Sequence, residues 1–371
     1  MSSESLRVAL VTPFSWPVPS AVNQHVADLA RGLRALGHRP AVVTSSQEPR
    51  DLNRARALSR RPGEIGVELL SGWRAGKEPD SRLLPPVGSG PLAPENGIPV
   101  VPLGRSFSLP LNGSVATLGL PVDITSRLER LLAGACFDLV HVHEPVAPSL
   151  SFTAIRESRS PLVATFHLTP IGLLAYDKEQ GLLARFFDRL DGRVVTHPRA
   201  AEMLGRLFPG EYRLVPPGAA LTIPAEGERA PGASAVGGGA ADDPGGRSLL
   251  YVYRGDDARG LKAFFRALGA AFPAGIDSVT VAVHRPSAEL WPPRREPRRL
   301  RERVRWLDFA DPGRLAPAYA AAAGTVLPYL GGEWLLQTAV DAAAAGCPVV
   351  GPDLPFIRHF LAEDAWAFRG W

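Results

Sequence analysis

The sequence is poor in cysteine and contains no long apolar run. Only two of the 371 residues are cysteines, and both Cys136 and Cys347 stand in apolar, strand-like surroundings. Two such residues predict reduced thiols in a cytoplasmic protein, and they argue against a disulfide framework. No run of 18 apolar residues occurs, so no membrane-spanning helix is expected. The first residues also lack the basic and apolar regions of a signal peptide.

Lysine is scarce too, since three lysines stand among 41 basic residues and arginine supplies the rest. We attribute this to a general bias of composition. A formal net charge of +4 over a chain of this length is weak evidence for a polyanionic partner. Residues 285–305 hold eight arginines, but a solvated surface loop explains them better than a nucleic-acid contact. Nucleic acid is therefore not an expected partner.

The chain is long enough for two domains, and its opening predicts a parallel α/β sheet. An apolar run from Leu6 to Val11 is followed by a helical face and then by the strand-like run Ala41–Thr44. Gly37 stands where a helix ends. Strand, helix and strand joined by short loops imply a right-handed parallel crossover. The apolar helical positions alternate in spacing between four and three: Val22, Val26, Leu29, Leu33 and Leu36.

The strand–helix pattern breaks and then restarts. Residues 219–247 are dominated by Ala, Gly, Pro, Asp and Ser, which is the composition of a flexible linker. Residues 50–98 are rich in Arg, Pro and Gly and predict an irregular insertion. We therefore expect an N-terminal Rossmann-like domain over residues 1–218 and a C-terminal one over residues 248–371. The fold class is α/β, with two doubly wound domains.

Two acids in the segment 331–355 suggest a sugar or nucleotide site. Glu333 and Asp341 are eight residues apart, so both project from roughly one side of a helix. A carboxylate can accept hydrogen bonds from vicinal hydroxyls of a ribose or hexose, and the helix N-terminus beside Glu333 suits a diphosphate. Spacing alone also allows an Ala-rich helix that carries two solvated acids.

Several segments, in order, resemble glycosyltransferase family 4, and nearest are the actinobacterial phosphatidylinositol mannosyltransferases. The resemblance implies the GT-B architecture, in which two Rossmann-like domains face a cleft. It also implies an N-terminal acceptor domain and a C-terminal nucleotide-sugar donor domain, which here is short at its C-terminus. The segments that carry the resemblance are TPFSWPVPSAVNQHVADLARGLRALGH, LNGSVA, FDLVHVHEPVAPSLS, PLVATFH, VPPGA, GDDARG and VRWLDFADPGRLAPAYAAA.

The resemblance assigns roles to residues at the donor and the reaction centre. Arg254 and Arg259 match the basic pair that holds the donor diphosphate, whose developing charge fixed cations stabilise as the sugar leaves. Glu333 matches the acid near the sugar and the leaving phosphate, and Asp341 matches the acid that holds the nucleotide ribose. His167 matches the histidine that lines the reaction centre. The catalytic residues expected are therefore His167 and Glu333, and no protein nucleophile is assigned.

Other matched positions depart from the family pattern. Ser20 and Ala21 stand where the phosphate-binding turn has glycines, which let a backbone approach a ligand closely. Leu336 places a bulky side chain where a backbone amide would meet phosphate or sugar. These three residues complete the expected donor site.

On the acceptor side, Asn112 and Ser114 match polar contacts, and Phe14 stands where a tyrosine would be. The positions that would bind the acceptor phosphate read Thr117 and Gly172, so phosphatidylinositol itself is a poor acceptor candidate. Whether the acceptor is a lipid, a glycan or a small molecule stays open.

The resemblance predicts a retaining glycosyltransferase that moves a hexose from a nucleotide diphosphate sugar to a hydroxyl acceptor. No tightly bound cofactor is expected, and any dependence on Mg²⁺ would be weak. The alternative is a catalytically degenerate homologue that acts as a binding or regulatory protein. The carboxylates and arginines favour the enzyme, while Ser20, Ala21, Leu336 and the short C-terminus favour the degenerate form.

Two further features of the sequence bear on membrane contact and on metal binding. The amphipathic segment 123–133 matches a helix that relatives use for membrane attachment, but it has few basic residues. At most weak, peripheral contact with the inner face of the membrane is therefore expected. His141 and His143 project from one face of a strand, yet no third and fourth ligands are evident beside them. We therefore predict no metal site.

Overall fold

A computed structural model gives the fold. It describes residues 5–16, 18, 20–46, 69, 97–111, 114–119, 124–145, 149–167, 180–219, 247–254, 258–284, 296–309, 315–327, 333–352 and 366–368. The chain divides into two compact units, Met1–Pro216 and Pro217–Trp371. The predicted linker and nearly all of the predicted insertion lie outside the described residues, so both stay predictions.

The first unit is built on an eight-stranded sheet with the order β2-β3-β4-β1-β5-β6-β7-β8, with an additional β1–β2 pairing. Parallel pairing, which the strand–helix pattern predicts, joins β2 to β1, β1 to β5, β5 to β6, β6 to β7 and β7 to β8. The strands are β1 (Arg7–Ser15), β2 (Arg39–Ser46), β3 (Val100–Leu111), β4 (Ser114–Gly119), β5 (Leu139–His143), β6 (Leu162–Phe166), β7 (Gly192–Val195) and β8 (Arg213–Leu214).

The second unit contains a six-stranded sheet with the order β11-β10-β9-β12-β13-β14, in which every pairing is parallel. Its strands are β9 (Ser248–Tyr253), β10 (Ser278–His284), β11 (Val304–Phe309), β12 (Gly324–Val326), β13 (Val349–Pro352) and β14 (Trp366–Phe368). The α/β fold class predicted from the sequence is confirmed in both units.

Helices connect the parallel strands, as a doubly wound sheet requires. In the first unit they are α1 (Ala21–Ala35), α2 (Thr125–Ala135), α3 (Leu150–Glu157), α4 (Gln180–Phe187) and α5 (Pro198–Leu207). In the second unit they are α6 (Ala258–Ala270), α7 (Ala316–Ala321) and α8 (Glu333–Ala344). Among the helices of the described residues, none is both long and apolar enough to cross a membrane.

Successive side chains of the central strands point to opposite faces of the sheet, so each sheet has an apolar core on both faces. In β1, Ala9 and Val11 belong to one buried cluster, while Val8 and Leu10 belong to another. In β9, Leu250 and Val252 pack on one face, whereas Tyr251 and Tyr253 pack on the other. Because both faces are filled with apolar side chains, polar groups that bind ligands are left to the strand ends.

Helix α1 begins and ends where its sequence signals predict. The hydroxyl of Ser20 accepts a hydrogen bond from the backbone N–H of Asn23 at 3.2 Å, which caps the helix. Gly37 has a φ of 88°, and the N–H of His38 donates to the carbonyl of Leu33 across this turn. A glycine takes up this left-handed conformation without steric cost.

Two local features differ from what the sequence predicted. Strands β3 and β4 form an antiparallel hairpin that was not predicted, although the two residues between them are Asn112 and Gly113, a dipeptide that favours tight hairpins. Cys136 is exposed, in the left-handed turn after α2, and only Cys347 is buried. Both cysteines are free thiols, as predicted.

An ion pair joins the first residue of β1 to the turn before β5. Asp138 Oδ2 accepts hydrogen bonds from the backbone N–H and the Nε of Arg7 at 2.8 and 2.9 Å, and Asp138 Oδ1 accepts from Arg7 Nη2 at 2.5 Å. These hydrogen bonds hold the pKa of Asp138 below its ordinary value. The carboxylate therefore stabilises the folded state only while it is ionised.

We predict that Asp138→Asn lowers the free energy of unfolding by about 1 kcal/mol at neutral pH. A depressed folded pKa means that the stabilisation is complete above the unfolded pKa of about 4 and is lost as the pH falls through the folded value. Urea unfolding of wild type and variant should therefore differ most above the unfolded pKa and converge as the pH falls below the folded one. Asp28→Asn, which alters an exposed pair with Arg31, is the control. A gap that stays constant with pH would contradict this account.

Candidate functional site

In the first unit, the candidate site lies at the carboxyl ends of three adjacent strands, β1, β5 and β6. His143 is the last residue of β5, and His167 follows β6 directly. The chain leaves β1 and enters α1, whose second turn carries His25. Carboxyl ends of neighbouring parallel strands meet at one edge of a sheet, where open α/β folds bind ligands. The predicted reaction-centre residue His167 thus lies at such an edge.

The backbone around His167 is held by Glu144. Glu144 has a φ of 45°, and its N–H donates to the carbonyl of Thr165 at 2.8 Å. From this left-handed position its Oε2 accepts the backbone N–H of His167 at 2.8 Å. A buried, charge-assisted hydrogen bond of this kind fixes the start of the loop after β6. This positioning role of Glu144 was not predicted from the sequence.

Four histidines, not two, gather at this edge. The rings of His141 and His143 stack with centroids 4.5 Å apart, and those of His25 and His167 meet edge to face at 4.8 Å. Nδ1 of His143 lies 3.2 Å from Nε2 of His167, and Nε2 of His141 lies 2.7 Å from Oγ1 of Thr165. The expectation that His143 has no further ligand-type neighbour was wrong, because α1 and the end of β6 supply two.

All four imidazoles are neutral at physiological pH. Burial lowers the pKa of His25 to about 4 and, together with His25, that of His141 to about 3. Burial also lowers the pKa of His143 and His167 well below the ordinary value. A neutral ring offers one N–H donor and one lone pair. The cluster therefore presents both to a ligand without placing positive charge in this part of the unit.

The remaining predicted residues of the first unit divide into packing residues and residues without described side chains. Ser20 caps α1, and Ala21 is a buried residue of its first turn. Phe14 is 4% exposed and packs in the cluster that contains Trp16, and its role towards an acceptor stays a prediction. Asn112 lies outside the described residues, and Ser114 is described only as the first residue of β4.

In the second unit, the predicted diphosphate and ribose residues bind each other. Arg254 follows the end of β9, and its Nη2 donates to Oδ2 of Asp341 on α8 at 2.9 Å. The two side chains are only 2% and 0% exposed. The resemblance implies a separate ligand group for each residue, and their pairing was not predicted.

Neighbouring side chains complete this buried site. Nε2 of Gln337 donates to Oδ1 of Asp341 at 2.9 Å and to the carbonyl of Gly218 at 3.0 Å. The guanidinium of Arg254 lies 4.5 Å from the ring centre of Trp334, within the range of a cation–π contact. The four-residue spacing from Gln337 to Asp341 is the signal in the sequence that could have revealed Gln337.

For two of the other predicted donor residues, the structure describes only the position in a helix. Glu333 is the first residue of α8, so Glu333 and Asp341 share one helix at the predicted spacing. Arg259 is the second residue of α6, the helix that follows β9. Side chains of both residues lie outside the described part of the structure. Leu336 is buried in the first turns of α8.

A family profile described as Glycosyltransferase Family 4 matches residues 22–222, more than half of the chain. The chain belongs to glycosyltransferase family 4. It is 27% identical over 361 residues to a phosphatidyl-myo-inositol mannosyltransferase of Mycobacterium leprae, a match that covers 96% of this chain and 81% of that protein. The corresponding protein of Mycolicibacterium smegmatis is 27% identical over 359 residues, covering 96% and 79%.

Solved glycosyltransferases share the fold of this family 4 enzyme. Sucrose-phosphate synthase from Thermosynechococcus elongatus matches with a TM-score of 0.58 at 16% identity, covering 95% of this chain and 83% of that one. Anabaena HepE in complex with UDP and glucose matches with a TM-score of 0.57 at 12% identity, covering 98% and 85%. The predicted family and the predicted GT-B fold of two Rossmann-like domains are confirmed.

For this glycosyltransferase we predict strong coupling between Arg254 and Asp341. Arg254→Met or Asp341→Leu alone leaves one buried charge without its opposite and should cost about 3–5 kcal/mol of unfolding free energy. The double variant removes both charges and should cost less than the sum of the two. Denaturant unfolding of all four proteins gives the coupling energy. The exposed pair Arg31 and Asp28, treated in the same way, should couple by less than about 1 kcal/mol. Additive effects at the buried pair would refute the prediction.

Proposed function

We propose that this family 4 enzyme is a retaining glycosyltransferase that moves a hexose from a nucleotide diphosphate sugar to a hydroxyl acceptor. The observation that carries the proposal is the buried pair of Arg254, at the end of β9, and Asp341, on α8. The guanidinium can serve a diphosphate and the carboxylate a ribose, and Glu333, the first residue of α8, is proposed for the sugar. The relatives are named mannosyltransferases, and one structural neighbour was solved with UDP-glucose. A mannose or glucose donor is therefore the first to test.

Donor binding on this proposal is an exchange of partners. Arg254 is paired with Asp341 and almost fully buried, so a diphosphate must take over some of the hydrogen bonds that Asp341 accepts. The ribose hydroxyls would then hydrogen-bond to the carboxylate. The hydroxyls satisfy hydrogen bonds of the carboxylate but carry no charge, so Asp341 has to keep part of its contact with Arg254.

In the first unit, we propose that His167 lines the reaction centre and that Glu144 keeps it in place. The neutral imidazole can hydrogen-bond to a sugar or an acceptor hydroxyl. Thr117 and Gly172 argue against phosphatidylinositol as the acceptor, and a lipid, a glycan and a small molecule all remain candidates. The proposed location is the cytoplasm, with at most weak contact with the membrane surface.

The alternative is a degenerate homologue that binds a ligand without turnover. The specific observation in its favour is the same pair, because a site in which Arg254 and Asp341 compensate each other needs no ligand to be stable. Calorimetric titration with a panel of nucleotide sugars, followed by a transfer assay, separates the two functions. Binding with turnover supports the transferase, binding without turnover supports the degenerate form, and no binding excludes both versions of a donor site.

We predict that Arg254→Ala weakens binding of the preferred nucleotide sugar by about 1.5–3 kcal/mol, or roughly 10- to 150-fold, because a charge-assisted hydrogen bond to phosphate is lost. The measurement is calorimetric affinity at a temperature where circular dichroism shows the variant folded. Arg266→Ala removes an exposed arginine from α6 in the same unit and serves as the control. Equal affinities for the wild type and Arg254→Ala would rule out a diphosphate contact.

The two acids of α8 should differ in what they affect. Glu333→Gln keeps the shape but removes the charge, so we expect it to lower kcat more than donor affinity. Asp341→Asn should lower the affinity for a nucleoside diphosphate but not the affinity for inorganic pyrophosphate, which has no ribose. Steady-state kinetics and competition binding measure the two effects. If Asp341→Asn changed the affinities for both ligands equally, the role of Asp341 would be to restrain Arg254 and not to hold ribose.

A further inference from the structure

Three histidines from separate elements converge in the first unit: His25 on α1, His143 at the end of β5 and His167 after β6. One ring nitrogen of each lies within 4.8 Å of those of the other two. Nδ1 of His143 and Nε2 of His167 lie 3.2 Å apart. These residues are far apart in the sequence, so only the fold brings them together.

The spacing of these nitrogens approaches that of metal ligands. Zinc–nitrogen bonds of about 2.0–2.1 Å at tetrahedral angles place two ligand nitrogens about 3.3 Å apart. The His143–His167 separation of 3.2 Å already has this value. The His25 nitrogen, within 4.8 Å of the others, needs to move by at most about 1.5 Å relative to that geometry, a displacement that rotation of a side chain can supply.

A histidine binds a metal through one ring nitrogen, in the form that carries no proton on that nitrogen. The spacing assigns Nδ1 of His143 as its ligand atom, because Nδ1 is the nitrogen that lies 3.2 Å from Nε2 of His167. Nε2 of His143 then carries the proton of the ring.

The surroundings of the three rings hold them in place. The ring of His141 stacks on His143 and is itself engaged at 2.7 Å with Thr165, so it packs against a ligand without being one. Glu144 accepts the backbone N–H of His167 and brings a carboxylate near the cluster. Partners of this kind orient ligands in metal sites.

We propose that His25, His143 and His167 form a binding site for a transition-metal cation that favours imidazole, with Zn²⁺ as the representative ion. Three protein ligands leave a coordination position for water or a substrate oxygen. Mg²⁺ prefers oxygen ligands and is not expected here. The proposal concerns the first unit alone and does not depend on the assignment of the donor site in the second.

The test uses the full chain without a histidine tag, stripped of metal with a chelator. The exposed free thiol of Cys136 is first replaced by Cys136→Ser, so that it cannot bind the ion. Calorimetric titration with Zn²⁺ should show saturable binding of one ion per chain. Titration with Co²⁺ should give the visible absorption of a low-coordinate nitrogen site, and Mg²⁺ should give neither signal.

Substitutions in this background locate the ion. His25→Asn and His167→Asn should each weaken Zn²⁺ binding by at least about tenfold. Loss of a residue that only supports a metal ligand typically weakens metal binding by about 10- to 100-fold. His284→Gln, on β10 of the other unit, should leave the affinity unchanged. The proposal is wrong if the parent protein binds no Zn²⁺ saturably, or if neither ligand variant weakens the binding.

Thermal stability gives a second measurement of metal binding, which can still be made if one of the variants folds poorly. A cation that binds only the folded state raises the melting temperature, and the rise grows with the ratio of its free concentration to its Kd. Zn²⁺ should therefore raise the melting temperature of the parent and of His284→Gln but not that of His25→Asn. A rise of equal size in all three proteins would place the ion elsewhere and overturn the assignment.

Discussion

Both units depend on one constraint: a parallel sheet covered by helices on both faces cannot hold uncompensated polar groups within its strands. Alternate residues of β1 and β9 fill opposite apolar cores. Functional side chains are therefore confined to the carboxyl ends of the strands, where the chain turns into a helix. His143, His167 and Arg254 all occupy such ends, and the residues that meet them, His25 and Asp341, come from helices packed on the sheets.

Buried polar groups are accommodated differently at the strand ends of the two units. At the first edge, burial removes the charge, since histidine can lose its proton and remain a hydrogen-bonding ring. At the second edge, the arginine of the Arg254–Asp341 pair cannot lose its proton, so the charge is compensated by a carboxylate at 2.9 Å. The first edge can therefore accept a cation or a hydroxyl, whereas an anion at the second has to compete with a partner already in place.

Features encoded locally could be predicted from the sequence, and those that need distant contacts could not. The apolar spacing from Val22 to Leu36 and the glycine at position 37 predicted α1 because both signals lie within the helix itself. The Arg254–Asp341 contact joins residues 87 positions apart, and no short pattern encodes it. The resemblance supplied these residues with roles, since a family motif carries information that spacing lacks. The β3–β4 hairpin is the exception, because its Asn112-Gly113 signal was local and was overlooked.

The departures from the family pattern look different once their contacts are known. Ser20 caps α1, and a serine at this position stabilises a helix by a few tenths of a kcal/mol relative to glycine. Leu336 is buried in α8, where truncating a leucine costs about 2–5 kcal/mol. Restoring glycine at position 336 would therefore remove packing as well as a steric obstacle. Both residues have a structural reason to be there, so neither by itself indicates decay of the site. The restraint on Arg254 by Asp341 is the stronger physical reason to expect donor affinity to be low.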